Sequence, residues 1–145
     1  MEQIKLAITD SDIQRCFPAL KELRPFLKEE EFLPRIKRMM QNGFQLVFVE
    51  LENGKVPAVG GFRREEMLHR GKSIYLDDLS TMEEFRSSGY GGKIIDYLID
   101  LAKKENCATL HLDSGVQRFD AHRFYLKKGF NIISHHFAIQ FKPVD

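Results

Sequence analysis

Cysteine is scarce in this chain: Cys16 and Cys107 are the only two among 145 residues. Two thiols far from any cluster of other ligands make neither a disulfide framework nor a zinc site, so no metal is expected and a reducing cytoplasm is the expected home. Charge of one sign is lacking as well. The 22 basic and 21 acidic residues leave a formal net charge of +1 and are interspersed. Such a chain carries neither the basic footprint that nucleic acid requires nor a polybasic anchor, so neither nucleic acid nor a membrane is an expected partner. Long hydrophobic runs are missing. No stretch approaches the roughly 20 apolar residues of a membrane span, and Met1-Glu2-Gln3-Ile4-Lys5 has no signal-peptide core. Repeats, linkers and low-complexity segments are absent too.

What is present is a core. The chain is 43% hydrophobic with 12 Phe, enough for one domain over residues 1–145 and too short for two ordinary ones. Gln3 to Ile8 alternates as a strand. Asp10 or Ser11 can cap a helix over Asp12 to Leu23 that Pro25 ends and Pro18 kinks. Glu29 to Asn42 carries Phe32, Ile36, Met39 and Met40 at helical spacing, with Gly43 as its stop. Phe44 to Leu51 and Val56 to Arg63 flank Asn53-Gly54 as a hairpin, and a charged loop through His69 and Gly71 follows. Ser73 to Thr81 reads as a strand, Gly92 to Asn106 as a helix burying Ile94, Ile95, Leu98, Ile99 and Ala102, and Thr109 to Asp113 as a strand. Phe119 to Lys128 is a short helix closed by Gly129, and Phe130 to Phe141 a last strand or bent strand pair. This order gives a three-layer α/β/α sandwich on a mixed, mostly antiparallel sheet.

Between the strand ending at Thr81 and the following helix lies Arg86-Ser87-Ser88-Gly89-Tyr90-Gly91, with Gly92 next. Glycines at 89, 91 and 92 let the backbone turn sharply with its N–H groups pointing one way, and the helix adds its positive dipole end. An anion should bind there. A P-loop is excluded, because Gly92-Lys93 is followed by Ile94 and leaves no hydroxyl for magnesium. The glycine spacing does not fit a dinucleotide fingerprint either. Nucleotide triphosphate hydrolysis and hydride transfer both lose ground.

The order strand, Arg-x-x-Gly-x-Gly, amphipathic helix, strand, then Ala121-His122-Arg123-Phe124-Tyr125 and Gly129-Phe130, resembles the GNAT superfamily of acetyl-coenzyme A-dependent N-acetyltransferases. The resemblance covers about Ser73 to Phe141. It implies the GNAT fold, acetyl-CoA as cosubstrate, and a diphosphate held by Arg86, Ser87, Ser88, Gly89, Tyr90, Gly91 and Gly92. The backbone of Leu79, Ser80 and Thr81 should pair with the pantetheine arm as a pseudo-strand and polarise the acetyl carbonyl. Where the family often has Asn two turns before the Phe-Tyr pair, this chain has Arg118, which either meets a coenzyme phosphate or covers the surface. Homodimers that pair through sheet edges or the C-terminal strand are common in the superfamily, and Phe137, Ile139 and Phe141 alternate suitably.

The chemistry has two proton problems. An alkylamine with pKa near 10.4 is protonated at pH 7, and freeing its lone pair costs about 4 to 5 kcal/mol. Asp77 and Asp78 interrupt an apolar strand, and strand alternation lets only one of them face a given pocket. By resemblance Asp77 approaches the amine, as general base or as electrostatic anchor, with Asp78 beside it in the acceptor site. The leaving thiolate, with pKa near 8.5, takes a proton from a phenol near 10 at a cost of about 2 kcal/mol. Resemblance gives that general-acid role to Tyr125, against the alternative of a core tyrosine. His111, His122, His135 and His136 lack metal-ligand spacing, and Arg63-Arg64 reads as a solvated face. No Cys or Ser stands where an acyl-enzyme nucleophile would be expected. Direct transfer to a primary amine of a small molecule or exposed peptide is the leading expectation, and a non-catalytic coenzyme A-binding sensor is the alternative.

Overall fold

The computed structural model describes residues 2–144. Strands β1 (Gln3–Leu6), β2 (Phe44–Glu50), β3 (Ala58–Met67), β4 (Gly71–Thr81) and β5 (Thr109–Leu112) lie side by side in chain order. The first three pairings are antiparallel and β4·β5 is parallel. Helices α1 (Asp10–Arg15), α2 (Phe17–Leu23) and α3 (Glu29–Met40) precede β2, a 3-10 turn (Glu83–Phe85) follows β4, α4 (Tyr90–Lys104) joins β4 to β5, and α5 (Phe119–Lys127) follows β5. A mixed, mostly antiparallel sheet between two helical layers is the expected sandwich.

Side-chain alternation along the strands divides the core into two. Phe44, Leu46, Phe48 and Val59 pack with Ile13, Phe17, Leu20, Phe32 and Ile36 of α1–α3. Val47, Val49, Phe62, Ile74 and Leu76 pack on the opposite face with Ile94, Ile95, Leu98 and Ala102 of α4. Gly60 is required for that second contact, since a Cβ there would stand 2.8 Å from Ile94 Cγ2. Arg64 forks onto Glu105 at 2.7 and 2.8 Å and ties β3 to the end of α4.

Four sequence expectations are corrected. The first helix is broken at Cys16, with Pro18 in the opening turn of α2, and it is capped by Thr9. Thr9 and Asp12 satisfy each other's backbone N–H reciprocally, which outcompetes the caps expected at Asp10 and Ser11. The charged loop from Arg64 is instead a continuation of β3 to Met67, because Arg64, Glu65 and Glu66 pair with Ile74, Ser73 and Lys72 across a tight turn. The expected strand over Phe130 to Phe141 does not form. Phe130 still packs on the core, but from Ile132 onward the large apolar residues are exposed, with Phe137, Ile139 and Phe141 at 90%, 81% and 90%. A strand needs a neighbour to satisfy its backbone, and the ladders of the described residues give this segment none.

Candidate functional site: a split between two parallel strands

The β4·β5 ladder runs only from Ser73 to Leu76. Beyond it β4 remains paired to β3 through Asp78–Thr81, and its other edge is free. Met82 donates its N–H to the Pro57 carbonyl on the β3 side at 2.8 Å. By alternation Leu79 and Thr81 turn their amide groups to the free edge, while Ser80 faces β3. The Ser80 hydroxyl is spent elsewhere, donating to the Ala19 carbonyl of α2 at 2.6 Å. Only the backbone of this segment is offered to the split.

The expected anion cradle closes one end. Ser87 and Gly89 both adopt positive φ, at 69° and 84°, so the chain reverses twice in three residues and delivers the first turn of α4 to the free edge. Gly89 is the N-cap residue and no side chain caps the helix. The orphan N–H groups of the first turn therefore point at whatever occupies the cleft. Gly91 lets the helix start come close to β4, since a Cβ there would lie 3.1 Å from Thr81 Oγ1 and crowd that hydroxyl. Arg86 leans over the cradle, and its Nε donates to the Thr81 carbonyl at 3.4 Å. Adjoining it is a groove of about 560 Å³ lined by Arg86, Arg118 and Arg123 together with Gln117, Phe119, Asp120 and Ala121. Arg123 is held by Asp120 at 2.9 Å. Three guanidinium groups converging beside an uncapped helix end make this the cationic end of the cleft.

Tyr125 projects from α5 into the core layer shared with Leu79 and Leu112. Its ring packs edge-on against Phe124 and Phe130 with centroids 5.3 and 5.7 Å away. Among the described residues its hydroxyl has no hydrogen-bond partner. Burial pushes its pKa up, and Arg118 pulls weakly the other way, so the phenol stays protonated at neutral pH.

Across the sheet from Tyr125 the carboxylates stand differently from the strand reading. Gly61 pairs with Asp78 but Phe62 pairs with Leu76, so Asp77 is the extra residue of a β-bulge. The bulge suspends alternation, and both carboxylates meet arginines on the face that carries α1–α3. Arg63 grips Asp77 in a bidentate fork, with contacts of 2.9 and 2.5 Å. Arg24, the C-cap residue of α2, places Nε 2.9 Å from Asp78 Oδ1. Arg63 in turn lies over the buried Phe44 ring at 5.4 Å. Burial raises the pKa of Asp78, against the pull of Arg24. Nearby, the Tyr75 hydroxyl donates to Asp113 at 2.7 Å.

A model of the acetyltransferase (GNAT) family matches residues 9–130. The chain belongs to that family. An uncharacterized N-acetyltransferase of Bacillus subtilis (strain 168), YhdJ, is 35% identical over 145 residues, which cover 99% of this chain and 100% of that protein. Among solved structures, glucosamine-6-phosphate N-acetyltransferase from Arabidopsis thaliana superposes with a TM-score of 0.78 at 26% identity, over 98% of this chain and 99% of its own. The aminoglycoside N-acetyltransferase AAC(6′)-Iy, solved with CoA, superposes with a TM-score of 0.84 over 99% and 96% at 11% identity, a likeness of fold. The GNAT chain is thus an acetyl-coenzyme A-dependent acetyltransferase.

The cradle residues Arg86 to Gly92, the free edge Leu79 to Thr81 and Arg118 adjoin one another in this GNAT structure, with Tyr125 on one side of the sheet and Asp77 and Asp78 on the other. The segment around Arg24 to Phe32 was expected only as a source of acceptor selectivity, and Arg63, read as part of a solvated face, is instead paired with Asp77. One signal for them was present: two consecutive glycines, Gly60-Gly61, inside an apolar strand mark a bulge or close packing. His122 bonds the Gly115 carbonyl at 2.8 Å and His111 stands 3.2 Å from the Ser73 hydroxyl, so both serve local structure.

Proposed function

We propose that residues 1–145 act as one domain that transfers the acetyl group from acetyl-CoA directly to a primary amine of a small molecule or an exposed peptide. The observation that carries this reading is the continuity of the uncapped α4 terminus with the free edge of β4, where a Cβ added at Gly91 would come within 3.1 Å of Thr81 Oγ1. A diphosphate in the cradle and a pantetheine arm on Leu79 and Thr81 then form one track. Arg86 and Arg118 flank that track, and Arg123 faces the adjoining groove as a partner for a further phosphate. The track points the thioester at the bulge, where an amine entering from the α1–α3 face meets it. Tyr125, protonated and with a free hydroxyl, reprotonates the departing thiolate.

Asp77 and Asp78 hold the ammonium. Both Asp77 oxygens are engaged by Arg63, which suits an anchor better than a base. Asp78 contacts Arg24 through Oδ1, and burial raises its basicity, so the amine's proton leaves through Asp78 or water. Two copies pair through the exposed, alternating Phe137, Ile139 and Phe141. The test is release of coenzyme A thiol from acetyl-CoA across a panel of amines, with mass spectrometry of the product. Turnover with N-acetylated product supports the reading. Tight coenzyme binding without turnover on any amine would turn it toward the sensor.

A further inference from the structure

From the Arg24–Asp78 and Asp77–Arg63 pairs we infer that the acceptor carries an anionic group, a phosphate or a carboxylate, close to its reactive amine, and that Arg24 and Arg63 select it. The inference rests on the acetyltransferase reading for the position of the amine. It adds which amines the site accepts.

Two carboxylates and two guanidinium groups share the bulge, so their net charge is zero. The Asp side chains are 18% and 19% exposed and the Arg side chains 29% and 38%. They stand at the mouth where β4 parts from β5, half-buried but reachable. A purely cationic amine entering here finds its carboxylates already paired. To bind Asp77 closely, both of whose oxygens Arg63 engages, it must loosen that guanidinium and leave its charge half-buried without a partner. An acceptor with both signs avoids this. Its ammonium takes a carboxylate, its anion takes a guanidinium, and every charge keeps an opposite neighbour.

The hydrogen-bond pattern favours the arginines as anion receptors. Arg63 spends Nε and one Nη on Asp77, and Arg24 spends Nε and one Nη on Asp78 and the Asp77 carbonyl. Each keeps its other Nη without an acceptor among the described residues. The Phe44 ring beneath Arg63 holds that guanidinium in place, and the bare Gly61 leaves room for the ring, since a Cβ there would approach it to 2.5 Å. A preorganised fork with spare donors is the arrangement that recognises phosphate and carboxylate.

The experiment compares amines matched except for the anion: ethanolamine with phosphoethanolamine, cadaverine with lysine, and glucosamine with glucosamine 6-phosphate. Each is titrated calorimetrically into the protein saturated with coenzyme A, and each is assayed for thiol release with acetyl-CoA. The expected result is at least about tenfold tighter binding of the anion-bearing member in one or more pairs, as charge-assisted fork bonds imply. Arg63→Gln and Arg24→Gln should shrink that ratio, Arg63→Lys and Arg24→Lys should restore part of it, and coenzyme A affinity should not move. Equal or tighter binding of the anion-free member in every pair overturns the inference, and so does failure of every amine to bind. Binding selectivity without turnover would instead sink the transferase reading and leave the charge selection standing.

Discussion

Replacing Tyr125 by Phe removes one oxygen and nothing else that the fold uses. The hydroxyl has no hydrogen-bond partner among the described residues, and the ring contacts at 5.3 and 5.7 Å survive in phenylalanine. Stability should therefore stay within about 0.5 kcal/mol of the parent. Activity should not. A positioned general acid contributes about 10²- to 10⁴-fold, or about 3 to 5 kcal/mol of barrier. Tyr125→Phe should lower kcat by that factor with coenzyme A affinity unchanged. The pH profile adds a signed test. Burial raises the Tyr125 pKa above its ordinary value, so the acid form persists through neutral pH and is lost only in strong alkali. The parent should lose a rate component as the phenol ionises, and the variant should lack that limb. Thiol release monitored from pH 6 to 11, beside a thermal melt, decides the matter. An unchanged kcat would refute the general-acid role, and a collapsed melting temperature would show the hydroxyl to be structural.

Gly61→Ala should destabilise the protein, because the new Cβ would stand 2.5 Å from Phe44 Cζ and 2.9 Å from Cε1. Overpacking of that kind costs about 1 to 3 kcal/mol, seen as a fall of about 3 to 10 °C in Tm. Leu98, fully buried between α4 and the sheet, should cost about 2 to 5 kcal/mol when cut to Ala, measured by urea denaturation. Cys16 is fully buried and its thiol is pushed up to about 12 from 9.0 by desolvation. Its protonated form is favoured on folding, so that contribution is intact below pH 9 and declines as pH rises toward 12. Iodoacetamide at pH 8 should label the half-buried Cys107 in the native protein and reach Cys16 only after unfolding, as peptide mass mapping would show.

Much of the candidate site's backbone geometry could be read from residues in a row. The cradle was legible because Gly89, Gly91 and Gly92 answer a local backbone need, a positive φ at Gly89 and a close approach to Thr81 at Gly91. Helix α4 was legible because Ile94, Ile95, Leu98 and Ala102 repeat with the helical period. What escaped is what depends on partners distant in the chain. Arg24 lies 54 residues from Asp78, and no local pattern joins them. The bulge at Asp77 broke the strict alternation on which the strand reading relied, a register shift set by β3 as much as by β4. The segment after Phe130 failed for a related reason. Ile139 and its neighbours carry a strand's pattern, but pairing is a property of two segments, and the described residues offer it no second.

The central claim is that the main-chain amides of Ser87 to Gly92 grip the coenzyme's diphosphate. A titration of ¹⁵N-labelled protein with coenzyme A and, separately, with pantetheine, which lacks the phosphates, tests it directly. The amide protons of Gly89, Tyr90, Gly91 and Gly92 should move downfield with coenzyme A and stay in place with pantetheine. Coenzyme A that binds while those amides do not shift would contradict the account.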